Sequence, residues 1–135
     1  MGPKVAAAAC LLALALAGAG CGTGERADDA AAVSERFHAA LEANDGAAAC
    51  DELSEETASK LEQQEKKPCE EAILELELPK GGSVADTQVD VTSAVTTLAE
   101  GDSDFLDEGP GGWKIAAAGC VPTLPDQPYE CALEG

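Results

Sequence analysis

Six cysteines, one histidine and 26 acidic side chains are the residues of this 135-residue chain with the most chemistry to offer. Cys10, Cys21, Cys50, Cys69, Cys120 and Cys131 form no CxxC pair, and His38 is the only histidine. The tight paired spacing of a zinc site is therefore missing, and no metal is expected. Export to an oxidising face would turn Cys50, Cys69, Cys120 and Cys131 into disulfides. Four cysteines allow three pairings. Cys50–Cys69 and Cys120–Cys131 are preferred, because each closes a short loop between neighbouring elements. In the chain-entropy picture such loops contribute on the order of 3 kcal/mol each. Catalytic redox use would need a close motif or a nearby base, and neither stands beside these cysteines.

Acid–base chemistry would have to fall on His38 or on an acid in a strand-like segment, namely Asp86, Asp90 or Asp104. His38 follows Phe37 one step off the apolar stripe of a helix, which points to a boundary or surface histidine. Acids in strands usually take the wet face, so surface placement is expected for all three aspartates. Tyr129 lies in a tail with Pro122, Pro125 and Pro128, where packing over the last strand is expected. Trp113 reads as a core anchor whose indole could also form part of a pocket wall. No nucleophile–base pair, phosphate loop or metal cluster is visible. Gly109-Pro110-Gly111-Gly112 lacks the lysine and the strand-to-helix setting of a phosphate loop and reads as a hairpin turn. No catalytic residue and no cofactor are assigned.

The amino terminus has the three parts of an export signal over residues 1–20. Lys4 and the free amine are positive, Val5 to Ala17 is apolar but too short to span a bilayer, and small residues lead to Cys21. Ala17-Gly18-Ala19 suits ordinary signal peptidase. Small residues before Cys21 instead resemble the bacterial lipobox, although Gly18 stands where that motif usually has leucine. Ordinary cleavage would leave five cysteines and an odd thiol. Lipid modification consumes Cys21 and leaves four that can pair, the more economical reading for an exported chain. Diacylglycerol and an amide-linked chain would supply the two acyl groups that stable anchoring needs.

The elements behind these residues follow from pattern. One domain is expected at this length. Lys4 is the only basic residue before Cys21, so the remainder carries seven basic against 26 acidic side chains, a formal net of −19. Such a surface repels nucleic acid and anionic headgroups and reads first as a solubilising coat. Four aromatics, Phe37, Phe105, Trp113 and Tyr129, leave a lean core that covalent staples would help. Residues 21–27 read as a flexible tether. Asp28 or Asp29 caps a helix with Val33, Phe37, Ala40 and Leu41 on one stripe. Asp45 caps a second helix over 47–53, and Ser54 with Glu55 and Glu56 starts another. Cys69, Ala72, Ile73 and Leu76 give a further helix after Pro68, although Leu74 to Leu78 also alternates with period two. Strand signals follow over 84–91, with Thr87, Val89 and Val91 on one face, and over 92–99. A hairpin joins 104–107 to 113–118, with Trp113, Ile115 and Ala117 sharing a face. Helices followed by antiparallel strands make an α+β domain over 28–135, helices packed on one face of the sheet.

The order Phe37-x3-Leu41, Asn44-Asp45-Gly46, Ala49-Cys50, Leu53-Ser54, Cys69, then Trp113 to Cys120 and Tyr129-Glu130-Cys131 resembles small actinobacterial lipoproteins of unknown function. Their domain is similar to the NTF2-like (SnoaL-like) cone. The resemblance implies a curved antiparallel sheet around helices, with a pocket at the cone's open end and Phe37 and Trp113 as candidates for its wall. It implies no reaction, because that fold hosts enzymes, ligand binders and transport factors alike. The expectation is a lipid-anchored, extracytoplasmic module at the outer face of the bacterial cytoplasmic membrane. It would bind a basic envelope protein or a small apolar ligand, without nucleic acid. The alternative is a small enzyme of isomerase or dehydratase type with a pocket acid or histidine as base.

Overall fold

The computed structural model describes residues 23–135. The signal segment 1–20, the lipidation residue Cys21 and Gly22 lie outside the described residues. Among the described residues, no helix is long and apolar enough to cross a membrane. The fold of the described residues is α+β: four helices followed by a five-stranded antiparallel sheet.

The first helix, α1, runs Thr23–Glu42. It starts upstream of the Asp28/Asp29 cap expected for it, so residues 23–27 continue the helix and are not a flexible tether. Nothing in Glu25-Arg26-Ala27 opposes helix formation, and Arg26 is held down on the sheet, as described below. Ala30, Val33, Phe37, Ala40 and Leu41 are buried along one face, and Ser34 and His38 are buried with them. The stripe is thus wider than its apolar residues alone suggest.

Asn44 turns the chain through a left-handed conformation (φ 56°), and α2 follows as Gly46–Asp51, its Ala48 amide donating to the Asp45 carboxylate at 3.0 Å. The third helix, α3, is Glu55–Glu65; its Thr57 amide donates to Ser54 Oγ, as the cap pattern predicts. The fourth, α4, is Cys69–Glu75, after Pro68. Leu76 leaves the helix with extended backbone. The period-two pattern therefore wins from there on, and Leu78 is buried from extended chain rather than from a helix face.

The strands are β1 Val84–Val89, β2 Ser93–Leu98, β3 Ser103–Gly109, β4 Gly112–Val121 and β5 Glu130–Glu134. They pair in sequence order as an antiparallel meander. Val91 falls in the β1–β2 turn and is exposed, apart from the face that half-buries Thr87 and Val89. Strand β5 was not anticipated: Gly119 to Gly135 offers one short alternating run behind a proline-rich segment. It is fixed by pairing with β4, in which Cys120 stands opposite Cys131. The inward phase of β4 also differs from simple alternation. Leu106 faces Ile115 but Phe105 faces Ala117, so β4 carries an extra residue between them. This bulge shifts the inward set from Trp113 and Ile115 to Ala118 and Cys120, leaving Ala117 half-buried.

The core lies between α1 and the sheet, closed by α2 to α4, with Phe37, Leu61, Ile73, Leu106 and Ile115 fully buried or nearly so. Both expected disulfides are present. Cys50–Cys69 joins α2 to the start of α4, and Cys120–Cys131 joins β4 to β5.

Candidate functional site

The most distinctive chemistry sits where α1 packs over β2 and β3. Ser34 and His38, one turn apart on α1, meet Thr96 and Asp104, which stand directly opposite each other across β2 and β3. Ser34 Oγ lies 2.6 Å from Thr96 Oγ1. His38 Nε2 lies 2.7 Å from Asp104 Oδ2, and both side chains have no exposed surface. The other ring nitrogen, Nδ1, is 2.7 Å from the Pro79 carbonyl. A carbonyl only accepts, so Nδ1 carries a proton and donates. The free oxygen of Asp104, Oδ1, accepts from the Gly119 amide at 3.3 Å, and the Gly81 amide donates to the His38 carbonyl at 2.7 Å. One histidine thus joins α1 to β3, reaches β4 through Asp104, and fixes the segment that leads from α4 into β1.

Burial pushes the His38 pKa down. The hydrogen bond to Asp104, that carboxylate's charge, the Pro79 carbonyl and the more distant Asp102 push it up, and the net direction is upward from 6.5. Below that raised pKa the ring is an imidazolium that donates at both nitrogens, to the Pro79 carbonyl and to the Asp104 side chain. Among the described residues, every buried side-chain nitrogen or oxygen has a hydrogen-bond partner. A pair so enclosed can orient and bind protein groups, but it offers no atom to a substrate unless α1 leaves the sheet.

A second constellation is open to solvent. A groove of about 280 Å³ lies beside Trp113, lined by Asp29, Val33, Arg36, Glu52, Glu108 and Lys114, among others. Its cations are engaged. Arg36 forms a two-point pair with Glu52 at 2.8 and 3.1 Å, and Lys114 Nζ donates to the Asp51 carbonyl at 2.6 Å. At the edge, Arg26 lies over the indole, 5.3 Å from its ring centre, and pairs with Glu108. It also donates to the Val91 carbonyl at 2.8 Å. Asp29 adds a carboxylate to a groove whose positive charges already have partners. Asp29, Glu52 and Glu108 thus balance Arg36, Lys114 and Arg26, and the groove itself carries no net charge.

The residues singled out from the sequence divide between these places. Asp86 and Asp90 are exposed, as expected for strand acids, whereas Asp104 is fully buried. His38 is likewise inside rather than at a boundary, because α1 packs through the side that includes Ser34 and His38. Phe37 is a core residue with its ring edge-on to His38 at 5.0 Å, and it does not line the groove. Trp113 does contribute to the groove, although only 5% of its surface is exposed. Tyr129 packs edge-on against Phe105 of β3, 5.2 Å between ring centres. Cys21 lies outside the described residues. No cluster of histidine, cysteine and carboxylate groups able to hold a metal occurs among the described residues. The buried pair was legible in one respect only: Ala30, Ser34 and His38 repeat at four-residue spacing beside the apolar stripe.

Comparison with protein-family models, with curated proteins and with solved structures gives no match for this chain.

Proposed function

We propose that the chain is a lipoprotein anchored through Cys21 at the outer face of the bacterial cytoplasmic membrane, where its domain is a non-catalytic binding module. The two disulfides favour an oxidising, extracytoplasmic compartment, and the even set of four cysteines they use leaves Cys21 for lipid. The finer fold reading, an NTF2-like cone of actinobacterial type, belongs to the same proposal. It draws support from the helices-then-meander order and from the β4 bulge that bends the strand.

The observation that carries the non-catalytic half is the enclosure of His38 with Asp104. The only histidine and the best-placed acid neutralise each other inside the core, with no exposed surface. A general base must come within hydrogen-bond reach of a substrate proton, and neither group does. What remains accessible is the groove beside Trp113 and the acidic surface, and the latter suits a basic envelope protein. A small apolar ligand is the less favoured occupant, since half of the residues lining the groove are charged. Nucleic acid is disfavoured by the −19 charge of the chain from Cys21 onward.

Membrane fractionation and intact mass test the anchor. The mature protein is expected in the membrane fraction with a diacylglycerol-modified Cys21, and Cys21→Ala is expected to be soluble or unprocessed. An unmodified chain beginning at Gly20 would overturn the anchor. Turnover of a steroid-like or polyketide-like substrate, abolished by His38→Ala or Asp104→Asn in folded protein, would overturn the binding role in favour of an isomerase or dehydratase.

A further inference from the structure

We infer that the anchored domain is held in one orientation, with its β1–β2 and β3–β4 turns against the lipid headgroups and its β2–β3 turn and 122–129 loop facing away. This rests on the Cys21 anchor proposed above and adds to it the surface that meets the bilayer.

Chain length sets the first constraint. Cys21 is two residues from Thr23, where α1 begins, and two extended residues reach at most about 7 Å. From Thr23 to Arg26 the helix rises only about 4.5 Å more. A flexible seven-residue linker would have an end-to-end distance of roughly 15 Å and would let the domain swing. Here most of that linker is helix.

Arg26 then fixes which end of the sheet lies beside the anchor. It donates to the carbonyl of Val91 in the β1–β2 turn, pairs with Glu108 near the end of β3, and covers Trp113 near the start of β4. Antiparallel order does the rest. Strands β1 and β3 end at this side and β2 and β4 begin there, so the turns at 90–92 and 110–111 share it. The turn at 99–102 and the loop at 122–129 stand at the other end. At the other end of the contact, α1 reaches the sheet through Glu35, which accepts from the Val84 amide at the start of β1. The helix therefore lies along the strands rather than across them.

The membrane-side end presents Val91, 79% exposed, next to Asp90 and over Arg26, with Glu25 in the first turn of α1 and Asp107 near the end of β3 exposed as well. Exposed acids at this end suit contact with the outer ammonium groups of zwitterionic headgroups and oppose deep insertion. The far end presents Leu124 and Tyr129, 65% and 42% exposed, to whatever approaches from outside.

Paramagnetic broadening of amide resonances tests the orientation. The mature lipidated protein in phosphatidylcholine nanodiscs containing gadolinium-chelated headgroups should show several-fold stronger broadening at 90–92, 109 and 111–112 than at 99–102, 123–124 and 126–127. A Gly/Ser linker inserted after Gly22 should level that contrast. Uniform broadening of the uninserted chain, or the reverse contrast, would overturn the orientation. So would a contrast that survives the linker. If intact mass shows no lipid on Cys21, the anchor reading fails by itself. The geometry is then read from a chain beginning at Cys21 and coupled through that thiol to a maleimide lipid in the same discs. The same contrast supports the orientation there, and its absence overturns it.

Discussion

His38 donates through both ring nitrogens only while it is charged, so its proton helps hold α1 on the sheet. Its folded-state pKa is raised above 6.5. The stabilisation is therefore fully present below about pH 6.5, the usual value for an unfolded-chain histidine, and is lost as pH rises through the higher folded value. Urea midpoints measured from pH 6 to 9 should fall with rising pH in wild type and fall less in His38→Gln. Equal slopes in the two proteins would remove His38 as the cause. The comparison matters because the acidic surface adds its own pH dependence, common to both. At fixed pH 6, His38→Ala should destabilise by about 3–5 kcal/mol, since it leaves the Asp104 charge buried without its partner. Replacing both members by apolar residues of similar volume should cost much less. Residue types predict His38 and Asp104 at the surface, each by a sound general rule. What overrides both rules is mutual: each side chain is affordable inside because the other is there. That pairing joins positions far apart in the chain, and no local pattern expresses it.

Elements are held by close approach and by covalent links more than by large side chains. A methyl group built on Gly46 would lie 1.9 Å from the Glu70 carbonyl oxygen, so α2 and α4 meet backbone to backbone. The Cys50–Cys69 bridge spans the same contact, 6.2 Å between Cα atoms. Gly46→Ala should destabilise by about 1–3 kcal/mol through overpacking, although alanine is the better helix former. A denaturant midpoint equal to or above wild type would show that the two helices separate without cost. Reduction of both disulfides should lower stability by several kcal/mol, on the order of 3 kcal/mol for each loop. Unchanged thermal unfolding after complete reduction would count against that role. Helix starts were the most legible feature, since Asp45 and Ser54 act through neighbours a few residues away. The bulge in β4, the pairing of β5 and the start of α1 at Thr23 were not. Each is decided by a partner elsewhere: β3 for the bulge, Cys120 for β5, and Glu108 and Trp113 for Arg26.

At the scale of the whole molecule, charge sets two responses of opposite sign. From Cys21 onward there are seven basic against 26 acidic side chains, and Arg26, Arg36 and Lys67 already sit in ion pairs. Most carboxylates therefore face one another across a small surface, and that repulsion opposes the compact state. Salt shortens its range, from a Debye length of about 30 Å at 0.01 M to about 8 Å at 0.15 M. Exposed ion pairs weaken over the same range but are worth about 0–1 kcal/mol each, too little to reverse the sign. Thermal stability should therefore rise by several degrees between those salt concentrations. A basic partner experiences the same screening as a loss, because the field that attracts it is the field that strains the domain. Titration of a lysine-rich peptide against the mature protein should accordingly show Kd rising severalfold across the same salt series. A Tm that falls with added salt would mean that the ion pairs outweigh the repulsion. A salt-independent Kd for the peptide would mean that the acidic surface is a solubilising coat with no part in recognition.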